Sequence, residues 1–268
     1  RNIKKICVTG AAGFIGFHTC KLLLSKGYKV YGIDSINSYY DVNLKLERKK
    51  ILEKNNNFNF YRFNISNKKI NDILNSIEPD VIINLAAQAG VRHSLKKPHD
   101  YVKNNITGFL NILEFAKNSP SKIRVVYAST SSVYGANENL PFTESDSVDH
   151  PLQFYAVTKR TNELMAHAYS NLYQLETVGL RFFTVYGPWG RPDMAIFSFT
   201  KNIIAKKQIN LFNFGNMTRD YTYISDVVES IIRLSNFVKF EKICNFDSLS
   251  KNAPYRIVNI GNQKKIKL

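Results

Sequence analysis

The sequence predicts an α/β fold: a doubly wound, mostly parallel sheet with helices on both faces, followed by a smaller C-terminal lobe. Three observations carry that expectation. Strand-like apolar runs alternate with helix-period segments from residue 3 to residue 182, which is the βαβ pattern of a parallel sheet. Two of the runs, 81–85 and 123–127, are almost continuously apolar, as strands covered on both faces must be. The first run leads directly into a glycine-spaced turn and a helix.

In chain order, residues 3–9 form the first strand candidate and 14–26 the first helix. Strand 29–33, helix 42–54, strand 58–63 and helix 68–77 complete one half. Strand 81–85, helix 101–118, strand 123–129, helix 152–173 and strand 177–182 form the other. Residues 255–260 read as one late strand. With 268 residues, 44% of them hydrophobic, the chain can bury one large core with a small appendage. The expected division is a main domain over 1–185, a partial second lobe over 186–254, and a last strand with a short basic tail over 255–268. Past Trp189 the alternation gives way to aromatics and glycine.

Lys and Arg outnumber Asp and Glu by 37 to 21, a formal charge of +16. The cations are scattered through Lys/Asn/Ile-rich stretches such as 45–57, with no recognition motif beside them. A solvated basic surface that attracts an anionic substrate is therefore expected, and no nucleic-acid partner. No run reaches the roughly 20 apolar residues that span a bilayer, and no secretory signal opens the chain at Arg1. Cys7, Cys20 and Cys244 form neither a CxxC pair nor a metal-ligand spacing. Cys7 and Cys20 sit in apolar segments, as core thiols of a reducing compartment would. No membrane contact of the visible chain, no metal, and a cytoplasmic location are expected.

The turn Thr9-Gly10-Ala11-Ala12-Gly13-Phe14-Ile15-Gly16 joins the first strand to the first helix. Gly10 permits a tight turn, Gly13 lets the backbone approach a pyrophosphate, and Gly16 lets the helix pack against the sheet. Free amides and the positive dipole end of the helix, at Phe14 and Ile15, then face the phosphates. This is a Rossmann-like dinucleotide loop. Asp34 ends the second strand. A carboxylate there accepts from ribose hydroxyls and repels a 2′-phosphate, which favours NAD over NADP.

Tyr155 and Lys159 stand at i and i+4 in a helical segment and share a face. The strand before it ends in hydroxyls, Ser129-Thr130-Ser131-Ser132. An adjacent ammonium and the positive nicotinamide ring together stabilise the phenolate and lower its pKa by about 1–3 units, so Tyr155 is expected as general base. One of the hydroxyls would relay its proton.

TGAAGFIG (9–16), YASTSSVYG (127–135), YAVTK (155–159), LRFFTVYGPWGRPDM (180–194) and RDYTYISDV (219–227) together resemble the extended short-chain dehydrogenases. Within them the sequence is most similar to the UDP-glucuronate 4-epimerases, extended by SINSYYDV (35–42), AAQAGVR (86–92) and VDHP (148–151). The resemblance implies inversion at C4 of a UDP-uronic acid with tightly bound NAD, in a homodimer. It implies Gly10, Gly13, Phe14, Ile15, Gly16, Asp34, Asn64, Ile65, Leu85, Ala86, Ala87, Gln88 and Asn105 around the cofactor, with Tyr155 and Lys159. Thr130 aligns with the catalytic hydroxyl. Ser131, Ser132, Thr184, Arg191 and Arg219 fall where the family meets sugar and UDP, and Arg92 is a candidate for the sugar carboxylate.

Two departures stand out. The family usually has Asp at the place of Asn64 and often His at that of Asn84. Its substrate lobe runs several dozen residues beyond the place of Leu268, so a partial uridine pocket and weak turnover are expected of these 268 residues. Dehydratases and decarboxylases of this fold carry an acidic residue after the catalytic Thr, where Ser131 and Ser132 stand. A non-catalytic nucleotide sensor of the fold would commonly lack the Tyr or the Lys, and both are present.

Overall fold

Seven parallel strands in the order β3-β2-β1-β4-β5-β6-β9 make the main sheet of a computed structural model, which describes residues 4–209, 211–236, 242 and 247–267. They are β1 (Lys5–Thr9), β2 (Lys29–Asp34), β3 (Phe58–Arg62), β4 (Val81–Asn84), β5 (Arg124–Thr130), β6 (Thr177–Phe182) and β9 (Tyr255–Ile260). The order reverses between β1 and β4, the switch point at which a doubly wound sheet opens a crevice at its carboxyl ends. Every residue of β4 and of β6 is buried. That double coverage is why their sequences read as apolar runs.

Helices α1 (Phe14–Ser25), α2 (Val42–Leu52), α3 (Ile70–Ile77), α4 (Val91–Lys96), α5 (Pro98–Tyr101), α6 (Gly108–Asn118) and α7 (Phe154–Tyr173) connect these strands. The segment expected as one helix over 101–118 is broken. A π-helical turn, Val102–Thr107, stands between α5 and α6. Such widened turns recur at functional sites, and this one brings Asn105 inward, 1% exposed.

Beyond β6 a small sheet forms from β7 (Thr184–Tyr186), β8 (Thr218–Tyr223) and β10 (Lys265–Lys267), with β7 and β8 parallel and β10 antiparallel to β8. Helix α8 (Ala195–Ile204) leaves this side. Helix α9 (Ile224–Ser235) returns to the main layer, where Val227, Ile231 and Ile232 share one core cluster with Phe17, Leu23 and Val178. The sequence carries that helix in the spacing 224, 227, 228, 231, 232, all buried. Cys7 and Cys20 are buried free thiols; Cys244 lies outside the described residues.

One ion pair locks β5, β6 and α7 together. Glu163 of α7 receives Arg181 Nε at 2.9 Å and Nη2 at 3.0 Å, and the Ser129 hydroxyl at 2.6 Å. The side chains of Glu163 and Arg181 are 0% and 3% exposed. Glu163→Ala strands a buried guanidinium, and we expect a loss of about 3–5 kcal/mol in unfolding free energy. Urea denaturation measures it; a loss below about 1 kcal/mol, the scale of an exposed pair, would contradict the locking role.

Candidate active site

A cleft of about 2290 Å³ lies across the carboxyl ends of the strands. A pocket for one small molecule is typically about 300–1,000 Å³, so this cleft has room for two ligands side by side. Gly10, Gly13, Phe14, Ile15, Gly16, Asp34, Asn64, Ile65, Leu85, Ala86, Ala87 and Gln88 line it toward β1–β4, and Thr130, Ser131, Ser132, Tyr155 and Lys159 toward β5. Arg92, Thr184, Arg191 and Arg219 line its far side.

The glycine turn is a cradle without space for side chains. Gly10 has φ +72°, and a Cβ there would stand 2.8 Å from the amide nitrogen of Ala86. A Cβ on Gly16 would stand 2.0 Å from the Gly10 carbonyl. Gly16 is thus needed against the loop's own carbonyl; the expected role, packing against the sheet, is secondary. Gly13 precedes α1 with no side-chain cap, so the amides of the first turn face the cleft and suit an anion. A dinucleotide fits such a cradle.

Asp34 closes this end. Its carboxylate accepts from the amides of Ala12 at 3.1 Å and Ile36 at 2.8 Å. Burial pushes its pKa up; the Ile36 amide, Lys45, the Ala12 amide and Arg48 pull it back. Asn64 accepts from the Ser66 amide at 2.9 Å and donates to Asn104 Oδ1 at 3.2 Å, so Asn serves the turn as an Asp acceptor would. Asn84 also gains a physical reading. It accepts from the Thr9 hydroxyl at 2.7 Å, and Thr9 Oγ1 in turn accepts from the Ala86 amide at 3.1 Å.

Asn105 is the expected cofactor residue that the structure places elsewhere. It does not line the cleft. It stands behind the wall, accepting from the Gln88 amide at 2.7 Å and donating to the Gln88 carbonyl at 3.1 Å and to Thr158 Oγ1 at 3.0 Å. Its buried amide is fully used in holding Gln88 against α7.

Tyr155 occupies the first turn of α7, where a backbone amide lacks a helical partner. That amide donates to Ser94 Oγ at 3.3 Å, and the ring meets Tyr101 edge to face at 6.2 Å. The phenol lines the cleft with Thr130, whose Oγ1 accepts from the Ser132 amide and donates to Ser132 Oγ, both at 3.2 Å. Ser129 of the hydroxyl cluster is committed to Glu163 instead. Burial pushes the phenol pKa up, while Arg191 and the Thr130 hydroxyl pull it down. The sequence expectation of a phenol lowered by Lys159 is thereby corrected. Lys159 is 1% exposed and turns its ammonium to the Ala128 carbonyl at 2.9 Å. Burial draws the Lys159 pKa down to about 8.

On the far side, Arg191 pairs with Asp193, its Nε 3.0 Å from Oδ1. Tyr39, reaching across from the β2–α2 loop, donates to the same carboxylate at 3.1 Å. Burial alone would raise the Asp193 pKa; the guanidinium outweighs it and holds the carboxyl below its ordinary value. Arg219 of β8 is exposed and donates to its neighbour's carbonyl, that of Thr218, at 2.8 Å. Arg92 is exposed on α4.

Sequence reasoning missed Tyr39, Lys45, Arg48 and Asp193. The stretch from Lys45 was expected as solvated basic surface, yet Lys45 is 5% and Arg48 0% exposed. Lys45 Nζ donates to the Asn37 carbonyl and side chain at 2.7 and 2.6 Å. The available signal was spacing: Lys45, Arg48 and Leu52 fall on one face of α2, and all three are buried.

Comparison with known proteins agrees with this geometry. Residues 6–261 match the NAD dependent epimerase/dehydratase family. The chain is 50% identical to Protein CapI of Staphylococcus aureus, across 98% of this chain and 80% of that protein. It is 48% identical to a probable UDP-glucuronate 4-epimerase of Rhizobium meliloti, across 97% of this chain and 78% of that one. The crystal structure of UDP-glucuronic acid 4-epimerase from Bacillus cereus with UDP-glucuronic acid and NAD superposes with a TM-score of 0.84 at 36% identity, covering 98% of this chain and 79% of that one.

The buried Lys159 makes a stability prediction. Its folded pKa lies below its unfolded value of 10.5. Between the two values the unfolded chain holds a proton that the folded chain does not, so stability rises with pH across this window. Without added NAD, urea midpoints of the protein should therefore improve relative to Lys159→Met from about pH 7.5 to about pH 10. Parallel profiles would show that burial does not perturb the ammonium.

Proposed function

Because the chain belongs to the NAD dependent epimerase/dehydratase family, we propose that it inverts C4 of UDP-glucuronate and UDP-galacturonate, using NAD, through a transient 4-keto sugar. The observation that carries the proposal is one continuous cleft. It runs from the glycine cradle and Asp34, past the Tyr155–Thr130 pair, to Thr184 and Arg191. In this reading the cofactor and the catalytic pair belong to residues 1–185, and 186–254 supply the sugar side.

The chemistry that bound NAD supplies is reversible two-electron oxidation at C4. Tyr155 takes the proton of the 4-hydroxyl, Thr130 relays it, and both return it after the sugar has turned over. Burial of Tyr155 favours the neutral phenol. That is the form that must donate when the ketone is reduced, while Arg191 and the Thr130 hydroxyl favour the phenolate that must accept when the 4-hydroxyl is oxidised. Gly10, Gly13 and Gly16 cradle the cofactor phosphates and Asp34 takes the ribose hydroxyls. Gln88, clamped by Asn105, holds the wall of the nicotinamide end.

The 4-keto intermediate is a β-keto acid, which loses carbon dioxide when its carboxylate bond stands perpendicular to the carbonyl plane. Ser131, Ser132 and Thr184 hold the carboxylate away from that alignment, and Arg191 and Arg219 hold the UDP-sugar. Arg92, at the rim, serves the carboxylate from outside. Val157, Leu164 and Leu172 on α7 and Leu110 on α6 are exposed apolar residues. They give a second copy of the chain a surface to cover, as a homodimer requires. Among the described residues no helix is long and apolar enough to cross a membrane, and the buried free thiols suit the reducing cytoplasm.

Incubation with UDP-glucuronate and separation of the products tests the proposal. UDP-galacturonate is expected; a UDP-pentose would make the enzyme a decarboxylase. Tyr155→Phe should lower turnover by about 10²–10⁴-fold, the usual cost of a lost general base. Retention of more than about a tenth of the rate would remove Tyr155 from that role.

A further inference from the structure

Arg48 is fully buried, yet it spends its donors on loops and not on the helices and strands of the core. Its Nη1 donates to the Ala12 carbonyl in the glycine loop at 3.0 Å and to the Tyr40 hydroxyl at 2.8 Å. Its Nη2 donates to the carbonyls of Trp189 and Gly190. Its Nε is buried without a hydrogen-bond partner in the structure. A buried unpaired donor is costly, and a hydrophobic side chain of similar volume would pack a core better. What a hydrophobic side chain lacks is a planar fork that can hold two loops at once.

Two further contacts grip the same segment from α1. His18 Nε2 meets the Pro188 carbonyl at 2.9 Å, and the Trp189 ring stands 5.8 Å from Phe17. Three successive carbonyls, of residues 188, 189 and 190, are therefore met from α1 and α2. Trp189 has φ +59°, the left-handed region that a bulky residue enters only under constraint. The next residue after Gly190 is Arg191, which faces the cleft.

We propose that Arg48 is a positioning residue that docks the 188–190 segment onto the glycine loop and so sets the place of Arg191 in the cleft. One guanidinium then couples the cofactor side of the site to the sugar side. The inference rests on the reading above, in which Arg191 contacts the UDP-sugar.

Trp189 is the chain's single tryptophan, so its fluorescence reads the docking directly. In Arg48→Lys, which keeps the charge and loses the fork, the emission should shift to the red and become easier to quench with iodide. With UDP-glucuronate, kcat/KM should fall about 10- to 100-fold, the scale of a catalytic or binding group misplaced by about an ångström. In an Arg191→Ala background the same change should cost less than about threefold, because residues that act through one another are not additive. Unchanged Trp189 emission overturns the docking. Two losses that simply multiply overturn the action through Arg191. If Arg191→Ala alone costs nothing, the reading of Arg191 as a substrate contact has failed and the coupling falls with it. Should Arg48→Lys not fold, Arg48→Gln, which also loses the planar fork and keeps an amide donor, takes its place in the same cycle. The same direction of change is expected there, and unchanged emission overturns the docking.

Discussion

The bidentate pair between Glu163 and Arg181 fixes the surface from which the chemistry is presented. Tyr155, Lys159 and Glu163 recur at i, i+4 and i+8 along α7, so holding Glu163 holds the whole face. Glu163 also receives the hydroxyl of Ser129, one residue before Thr130. The same carboxylate thus sets the helix that carries Tyr155 and Lys159 and the strand end that carries Thr130. Arg181 extends the lock to Tyr134 at 3.0 Å, and Tyr134 reaches Asn259 of β9 at 2.7 Å. Isolated charges could not be buried here. Each is matched by a partner and hydrogen bonds in fixed geometry.

On that base the cleft divides its work by chemistry. The cofactor side is built of backbone: glycines too tight for a side chain, free amides at the start of α1, and Gln88 clamped through its main chain by Asn105. The opposite side, where the sugar is proposed to lie, is built of side chains, with hydroxyls at the end of β5 and guanidinium groups on the segments after β6. A backbone cradle tolerates little variation. A rim of side chains can change the sugar it accepts without altering how the cofactor is held.

The sheet was legible because its strands are covered on both faces and read as apolar runs, from Val81–Asn84 to Thr177–Phe182. The glycine turn, Asp34 and the Tyr155/Lys159 pair were legible because their spacing carries local geometry. Buried cations were not. Lys45, Arg48, Arg124, Arg181 and Arg256 all lie inside, and a charged residue reads as solvated until its partner is known. Those partners can be remote, as the Trp189 carbonyl is from Arg48 and Glu176 from Arg124. The pKa order at the site was hidden for the same reason. Sequence places Lys159 beside Tyr155, but only the fold shows the ammonium turned to Ala128 and the charge of Arg191 acting on the phenol. Strand β8, Thr-Arg-Asp-Tyr-Thr-Tyr with one buried residue, offers no hydrophobic period to read.

In the proposed cycle C4 is oxidised and then reduced by the same hydrogen, on a sugar that never leaves the cleft and keeps its carboxylate. UDP-glucuronate carrying deuterium at C4, turned over in ordinary water, tests it. UDP-galacturonate with deuterium retained at C4 is expected. Loss of the deuterium to solvent, or a pentose product, would contradict it.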